Sequence, residues 1–322
     1  MFKDLLLSPE KLVVYVRDGL VEQEHFGYVV RADKSRVLER SGEDKNYPFY
    51  LRSCAKPLQA SLIIDYELDK KFDLTGEEIA VCCASHAGEK VHVDIVKNLL
   101  KKFGLTEEKL KCGNHDPISK TAQKELIRNG IDAGAIYNNC SGKHAMMLGL
   151  CVLNGWDIEN YDDINHPLQI AIKNKIYELC EINHHDYPIT KDGCGVPIFS
   201  MPLANIVKGY LNLFCDKKYE KIKNAFINYP YIIGGEDRTD TKIMSNDNSS
   251  KLIAKVGAGG LCVVVNTELE EGFVVKICDS NMDAREILTA DLINNLHWGN
   301  IEISHDIKTL HNDIVGHVKT LI

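Results

Sequence analysis

The sequence lacks an excess of positive charge. It has 38 Lys and Arg residues against 46 Asp and Glu residues, a formal net charge of −8, and no run of basic side chains. Nucleic acids and anionic membranes are usually bound through basic patches. The composition therefore argues against both classes of partner. A hydrophobic fraction of 44% is typical of an ordinary globular protein.

Long apolar runs are also missing. No segment approaches the roughly 18 consecutive apolar residues of a membrane-spanning helix. The first residues contain only a three-leucine run before Ser8 and Pro9, far from the apolar stretch of a secretion signal. The 11 cysteines are odd in number, which favours free thiols in a reducing compartment over a disulfide framework. We therefore expect a cytoplasmic protein.

Repeats, low-complexity tracts and Pro/Gly-rich linkers are absent, so we expect one domain over residues 1–322. Residues 12–32 contain two β-rich runs separated by Asp18-Gly19, a strong hairpin signal, and residues 36–40 add a short third strand. The pattern then becomes mainly helical from Ser53 to about residue 230.

Strand character returns at residues 251–256, 261–266 and 271–279, and an amphipathic helix follows. These patterns predict an α+β fold in which an antiparallel sheet is built from about residues 10–50 and 250–300. A helical lobe of about residues 53–245 packs against this sheet. A cleft between sheet and lobe is a common place for a functional site.

Ser53 and Lys56 are three residues apart, immediately before Pro57. On a helix these positions share a face, with Cβ atoms roughly 5–6 Å apart, so the amine can reach the hydroxyl. A lysine acts as a base only when burial or a second cation lowers its pKa. The spacing is consistent with a nucleophile and its base, and equally with a serine cap and an ordinary first-turn lysine.

Other stretches concentrate polar side chains, and each also has an ordinary structural interpretation as a turn, a cap or a hairpin. Two of them carry Cys140 and Cys194, soft sulfur ligands that suit zinc, although Cys-x-x-Lys is not a usual zinc spacing. The Asn-His-His-Asp stretch at 183–186 is the rival metal candidate, but adjacent histidines in a polar loop are usually solvated, and spacing alone predicts no metal site. The stretches are residues 80–92, 138–150, 191–202 and 254–260.

Taken in order, these stretches resemble the asparaginase II family of serine-dependent, zinc-associated L-asparaginases, whose fold is similar to that of the serine β-lactamases and glutaminases. The likeness extends from about residue 10 to 295. The matching residues are Arg52-Ser53-x-x-Lys56-Pro57, Ser85-His86-x-Gly88-Glu89, Asn139-Cys140-Ser141-Gly142-Lys143-His144, Asp192-Gly193-Cys194-Gly195-x-Pro197, Ala254-Lys255-x-Gly257-Ala258, the stretch 274–279 and Ala284-Arg285.

The resemblance implies a role for each matching position. Ser53 and Lys56 are the expected nucleophile and base, and Ser85 and Lys255 form a second serine–lysine pair. Zn²⁺, in a structural or tuning role, and a homodimer are also implied. The expected zinc ligands are Cys140, Lys143 and Cys194.

The expected reaction is hydrolysis of L-asparagine to L-aspartate and ammonia. This substrate carries an ammonium and a carboxylate, so its pocket needs both charges, and Arg52, Glu89 and Asp192 are the candidates. Three alternatives remain: an L-glutaminase, another serine acyl-transfer amidohydrolase of the β-lactamase-like fold, and a non-catalytic zinc-binding protein.

The sequence departs from the family pattern at two positions. Val256 stands where the pattern has threonine, and Gly259 where it has glutamate. Valine keeps the shape of threonine but lacks the hydroxyl, so a hydrogen bond to the substrate would be lost. These changes bear on affinity and on substrate preference.

Overall fold

The large sheet joins the two ends of the chain. The computed structural model of the protein describes residues 7–44, 47–183, 187–246 and 251–322. The strand order of the sheet is β10-β11-β1-β2-β9-β8-β7, and β3 also pairs with β2. All of its pairings are antiparallel. Its strands are β1 (Glu10–Arg17), β2 (Leu20–Asp33), β3 (Val37–Ser41), β7 (Leu252–Gly257), β8 (Leu261–Asn266), β9 (Glu271–Ile277), β10 (Asp306–Lys308) and β11 (Ile314–Thr320).

The predicted hairpin joins β1 to β2. Its turn is Asp18-Gly19, and both residues have positive φ, 46° and 83°. These values suit the two-residue turns whose twist matches that of the flanking strands. The pattern of strands at both ends with helices between them is confirmed, and so is the α+β class.

The β9-β8-β7 side of the sheet is covered on both faces. Every residue of β7 and β8 is buried. Consecutive strand residues point to opposite faces, and Gly272 faces Val207 while the ring of Phe273 lies 5.5 Å from that of Trp298. This side of the sheet is therefore sandwiched between the lobe helix that contains Val207 and a C-terminal helix with its following turn.

The lobe consists mainly of helices. Thr75 begins α4 with a capping box, in which its side chain accepts from Glu78 N–H and the Glu78 carboxylate accepts from Thr75 N–H. The helices are α1 (Lys56–Ala60), α2 (Leu62–Asp65), α3 (Leu68–Lys71), α4 (Gly76–Cys83), α5 (Lys90–Lys102), α6 (Lys120–Asn129), α7 (Ser141–Asn154), α8 (Pro167–Leu179), α9 (Leu203–Phe214), α10 (Glu220–Asn228), α11 (Pro230–Gly234), α12 (Thr239–Met244) and α13 (Met282–Asn295).

The bounds of the predicted sheet were wrong at two points. The sheet does not end near residue 300, because β10 and β11 extend it and β11 pairs with β1. The end of the stretch 10–50 does not belong to it either, because β4 (Phe49–Tyr50) forms a small sheet of order β4-β6-β5 with β5 (Ile189–Lys191) and β6 (Pro197–Met201), two short strands within the mainly helical lobe. Short strands carry little periodicity, and the β11 pairing joins residues about 300 positions apart.

The rival metal stretch lies mostly outside the described residues, which do not include His184, His185 and Asp186. Within the described ranges, no helix is long and apolar enough to cross a membrane.

Helices α4 and α7 touch through a glycine. A Cβ placed on Gly142 would overlap the carbonyl oxygen of Val81 in α4. Only a residue without a side chain permits this approach. The contact fixes the start of α7, with Cys140 and Lys143, against the end of α4.

Gly142→Ala should destabilise the fold by about 1–3 kcal/mol through overpacking. In an exposed helix interior the same substitution would stabilise the fold, because alanine is a better helix former than glycine. The measurement is the denaturant midpoint of unfolding. Gly134→Ala is the control, since that position has φ −89° and no atom within 4 Å of an added Cβ. Equal midpoints for the two variants would contradict the close packing.

Candidate active site

Ser53 lies in a short 3₁₀ turn, Arg52–Ala55, that is held from two sides. Leu51 N–H donates to the Phe199 carbonyl in β6 at 3.0 Å. On the other side, the Cys54 thiol donates to the carbonyl of Lys255 in β7 at 3.4 Å. The Ser53 turn is thereby fixed between the small sheet and the large one.

The end of β7 approaches this turn closely. A Cβ on Gly257 would lie 2.9 Å from Cys54 Sγ and 3.2 Å from the Leu51 carbonyl oxygen. Glycine is therefore required here for close backbone approach. This contact brings the residues after Lys255 next to Ser53.

Lys56 is 1% exposed, and its amine has three close polar partners. Its Nζ lies 2.7 Å from the Ala84 carbonyl, 2.9 Å from the Asn139 carbonyl and 3.1 Å from Ser85 Oγ. Burial lowers its pKa to about 8, and the nearby positive charges of Lys143 and Lys255 act in the same direction. The Lys56 amine therefore loses its proton much more readily than the amine of a solvated lysine.

The predicted pairing of Ser85 with Lys255 differs from the observed contacts. Ser85 Oγ is bonded to Lys56, and its backbone N–H donates to the Ile233 carbonyl at 2.9 Å. Lys255 donates instead to Asp240 Oδ2 at 3.1 Å and to the Val256 carbonyl at 3.0 Å. A buried ammonium needs an anionic partner, and Asp240 supplies it.

The Lys255–Asp240 pair is completely buried. Burial alone would raise the pKa of Asp240, but the charges of Lys255 and Arg238 and the hydrogen bonds from Lys255 and Val256 together outweigh this effect and lower the pKa. Asp240 Oδ2 also accepts from Val256 N–H at 3.3 Å. The pair therefore ties α12 to β7, directly behind the residues that face Ser53.

Ser53 and Ser85 line the same cavity, of about 240 Å³. Within the described part of the chain, the Ser53 hydroxyl forms no hydrogen bond, so it is free to approach a ligand. The other lining residues are Asn139, Arg238, Val256, Gly257, Ala258, Gly259, Gly260, Ser280, Met282 and Arg285.

Two thiols and an amine form a buried cluster beside Lys56. Lys143 Nζ lies 3.0 Å from Cys194 Sγ, and Cys194 is hydrogen-bonded to Cys140. Asn138 Oδ1 accepts from Cys140 N–H at 2.9 Å, which fixes the turn before α7. Cys194 lies at the tip of the β5–β6 hairpin. The three expected ligands are thus brought together.

The protonation of this cluster is uneven. The hydrogen bond from Cys194 holds the pKa of the Cys140 thiol well below its ordinary value, against the effect of burial. The same bond raises the pKa of Cys194. Burial would lower the pKa of Lys143, but the two sulfurs outweigh it and raise the pKa. One thiolate therefore faces one ammonium.

The three residues expected to bind substrate lie elsewhere. Arg52 Nε is 2.9 Å from Asp192 Oδ1, an ion pair without hydrogen-bond geometry, and neither residue lines the Ser53 cavity. Glu89 accepts from the Tyr231 hydroxyl and lines a separate cavity. Each of these charged groups has a partner of its own, and none of them lines the Ser53 cavity.

His86 belongs to a matched motif but had no predicted role. Its Nδ1 accepts from Gly88 N–H at 3.1 Å, so Nε2 carries the proton and donates to Ser141 Oγ at 2.9 Å. Ser141 in turn donates to the Ile136 carbonyl. Burial holds the pKa of His86 well below its ordinary value. This chain of bonds positions the segment after Ser85 against α7.

Arg238 and Asp240 were missed by the sequence reasoning. The Gly234-Gly235 pair followed by alternating charges is the only signal there, and it is typical of any exposed loop. Arg285 was part of a matching stretch but received no role. Only the tertiary structure shows what these residues do. Arg238 and Arg285 line the cavity, and Asp240 pairs with Lys255.

The comparison with protein-family models identifies the family of this chain. The model of the L-asparaginase II family matches residues 13–320, and the chain therefore belongs to that family. This membership supports an amidohydrolase that acts on a small-molecule amide. No curated protein matches the sequence significantly.

Solved structures with similarity to the chain include a β-lactamase from Mycobacterium bovis and a proposed β-lactamase from Bacteroides dorei. The first is 13% identical, with a TM-score of 0.44, and the match covers 84% of this chain and 94% of that one. The second is 12% identical, with a TM-score of 0.44, over 83% of this chain and 93% of that one.

Asp240→Ala should lower the free energy of unfolding by about 3–5 kcal/mol, because it leaves the Lys255 charge buried and unpaired. Chemical denaturation measures the loss. Asp94→Ala, which breaks the exposed Lys90–Asp94 pair, is the control and should have a much smaller effect. Adding Lys255→Met to Asp240→Ala should restore part of the stability. Equal losses for Asp240→Ala and Asp94→Ala would disprove the buried pair.

Proposed function

We propose that the protein hydrolyses L-asparagine to L-aspartate and ammonia through an ester on Ser53. Family membership supports the amidohydrolase class. The observation that carries the assignment to Ser53 is its hydroxyl in a small cavity shared with Ser85, whose own hydroxyl contacts the buried Lys56 amine. In this proposal Ser53 is the nucleophile, Ser85 is the hydroxyl that relays its proton, and Lys56 is the base.

The contacts of Lys56 suggest how the proton moves. The carbonyls of Ala84 and Asn139 can only accept hydrogen bonds, so a neutral amine directs its two N–H groups to them. Its lone pair then faces Ser85 Oγ. Lys56 is therefore the base for Ser53, with Ser85 as the nearest hydroxyl through which the proton passes.

The reaction proceeds in two halves. In the first, Ser53 Oγ bonds to the side-chain amide carbon, its proton passes to Lys56, and the carbon–nitrogen bond breaks. The departing nitrogen takes that proton from Lys56 through Ser85 and leaves as ammonia. In the second, water adds to the ester carbon, the bond to Ser53 breaks, and aspartate is released with the serine proton restored.

Zinc remains a proposal, supported by the donors present. Among the described residues, no group of three His, Cys, Asp or Glu side chains could hold a metal. The Cys140, Cys194 and Lys143 cluster has two sulfurs and one amine, and soft sulfur ligands suit zinc. The metal would displace the protons of the thiols and the amine. It would hold the Cys140 and Cys194 segments beside Lys56, which is a structural or tuning role.

An L-glutaminase is the alternative that one observation favours. A Cβ on Gly259 would meet no atom within 4 Å, so the cavity has room at that point for a longer substrate. L-Glutamine has one methylene more than L-asparagine, and a pocket discriminates such a pair by only about 1–3 kcal/mol of binding free energy. The homodimer and the cytoplasmic location that the sequence suggested stay predictions.

Ser53→Ala and Lys56→Ala should each reduce ammonia release from L-asparagine by at least about 10³-fold, because they remove the nucleophile and its base. Lys124→Ala, on the exposed face of α6, should match the parent protein. L-glutamine is assayed in parallel. Turnover that survives in Ser53→Ala would move the nucleophile to Ser85. A parent protein that hydrolyses neither amide would refute the proposed function.

Purified protein should contain about one zinc per chain by elemental analysis, because Cys140, Cys194 and Lys143 supply three ligands and leave the fourth tetrahedral position to water. Cys140→Ala and Cys194→Ala should each lose the metal. Cys278→Ala should keep it, because that thiol is exposed and outside the cluster. Metal-free parent protein after zinc supplementation, or unchanged zinc in both cluster variants, would refute the site.

A further inference from the structure

The cavity at Ser53 is lined by positive charge alone. Arg238 and Arg285 are its ionisable lining residues, and the lining set contains no Asp or Glu. Lys56 lies directly behind Ser85, and its charged form adds to the same potential, whereas the charge of Lys255 behind Val256 is balanced by Asp240. A ligand that enters this cavity is therefore attracted through negative charge.

Arg285 has unused donor capacity. It is 6% exposed, and its Nη2 donates to Thr239 Oγ1 at 3.3 Å. Its Nε is buried without a hydrogen-bond partner among the described residues. A buried guanidinium with an open donor is costly to maintain, and a carboxylate that binds it removes that cost.

Arg238 supports Arg285 from the loop before α12. It is half-buried and lines the same cavity, and its guanidinium makes no hydrogen bond or ion pair within the described ranges. Two guanidinium groups with open donors suit the planar, bidentate recognition of a carboxylate.

The cavity lining offers no carboxylate to the ammonium group of a substrate. Each nearby carboxylate has a partner, Asp240 in Lys255, Glu89 in Tyr231 and Asp192 in Arg52, although one buried oxygen each of Asp240 and Glu89 has no hydrogen bond among the described residues. None of the three lines the cavity. At Gly259 the wall is open and carries no side chain. A substrate ammonium would be placed near two guanidinium charges without a carboxylate to offset them.

We propose that this cavity selects small primary amides by their carboxylate, held by Arg285 and Arg238, and that it does not require an α-ammonium group. The substrate class is then the monoamides of dicarboxylic acids, of which L-asparagine is the α-amino member and succinamate the simplest. This inference rests on the proposed function, because Ser53 would attack the amide of each. Hydrolysis of succinamate with one water releases succinate and ammonia.

Two analogues of L-asparagine test its carboxylate and its ammonium separately. Succinamate lacks the ammonium, and β-alaninamide lacks the carboxylate, while both keep the amide at the same distance. We expect kcat/KM for succinamate within about tenfold of that for L-asparagine, and a loss of at least about 10³-fold for β-alaninamide, since a site built to bond a group rejects an analogue without it.

Arg285→Gln should lower kcat/KM for both carboxylate-bearing amides by about 10²-fold, mainly by raising KM. Arg285→Lys should recover part of this loss by keeping the charge. Arg128→Gln, an exposed arginine of α6, is the matched control and should leave both values unchanged. Circular dichroism and thermal unfolding of each variant separate a lost contact from a lost fold.

Binding of the products tests the inference independently of turnover. Succinate and L-aspartate should stabilise the parent protein to a similar extent in thermal unfolding, and Arg285→Gln should abolish both effects. β-Alanine has one carboxylate where succinate and L-aspartate have two, and it should bind weakly because it lacks the α-carboxylate that Arg285 and Arg238 would hold.

The outcomes distinguish the two proposals. Hydrolysis of L-asparagine without hydrolysis of succinamate, or aspartate binding without succinate binding, would overturn the inference and leave the proposed function intact. Succinate binding that depends on Arg285, together with no Ser53-dependent hydrolysis of any amide, would support the carboxylate site and overturn the proposed function.

Discussion

The arrangement of the candidate site depends on the burial of the Lys56 ammonium. A charge removed from water must have each N–H bonded, or the cost of burial is several kcal/mol. Lys56 meets this demand with the carbonyl after α4, the hydroxyl of Ser85 and the carbonyl before α7. Those three bonds require the start of α1, the end of α4 and the start of α7 to converge.

Close backbone contacts make that convergence possible. Gly142 lets α7 approach α4, and Gly257 lets β7 approach the Ser53 turn. Because both contacts exclude a side chain, the segments on either side have little freedom to move apart. Cys140 and Lys143 are carried to Lys56 by the same approach. The thiol cluster and the serine cavity are thus two sides of one packed junction.

Charge at this junction is balanced in the interior and unbalanced at the cavity. Lys255 is matched by Asp240, and Lys143 by the Cys140 thiolate. The guanidinium groups of Arg238 and Arg285 face the cavity without an acidic partner in its lining. The excess positive charge is therefore left where a ligand binds, and it determines the kind of ligand that the cavity accepts.

Several features were predictable because they are local. The Asp18-Gly19 turn, the strands β7 to β9 and the helix α13 follow from turn chemistry and periodicity over a few residues. The β1–β11 pairing was not predictable, because it joins the two ends of the chain through backbone bonds that leave no side-chain signature. Ser53, Lys56 and Ser85 could be identified by type and spacing, whereas their contacts could not.

The sequence by itself determined the α+β class, the order of the main elements and the set of residues able to carry chemistry. Tertiary structure alone decided that Lys56 contacts Ser85, that Asp240 satisfies Lys255, and that Glu89 and Asp192 lie away from the cavity. The reason is physical: helix and strand propensities act between near neighbours along the chain. The pairing of buried charges depends on which distant segments share the same desolvated volume.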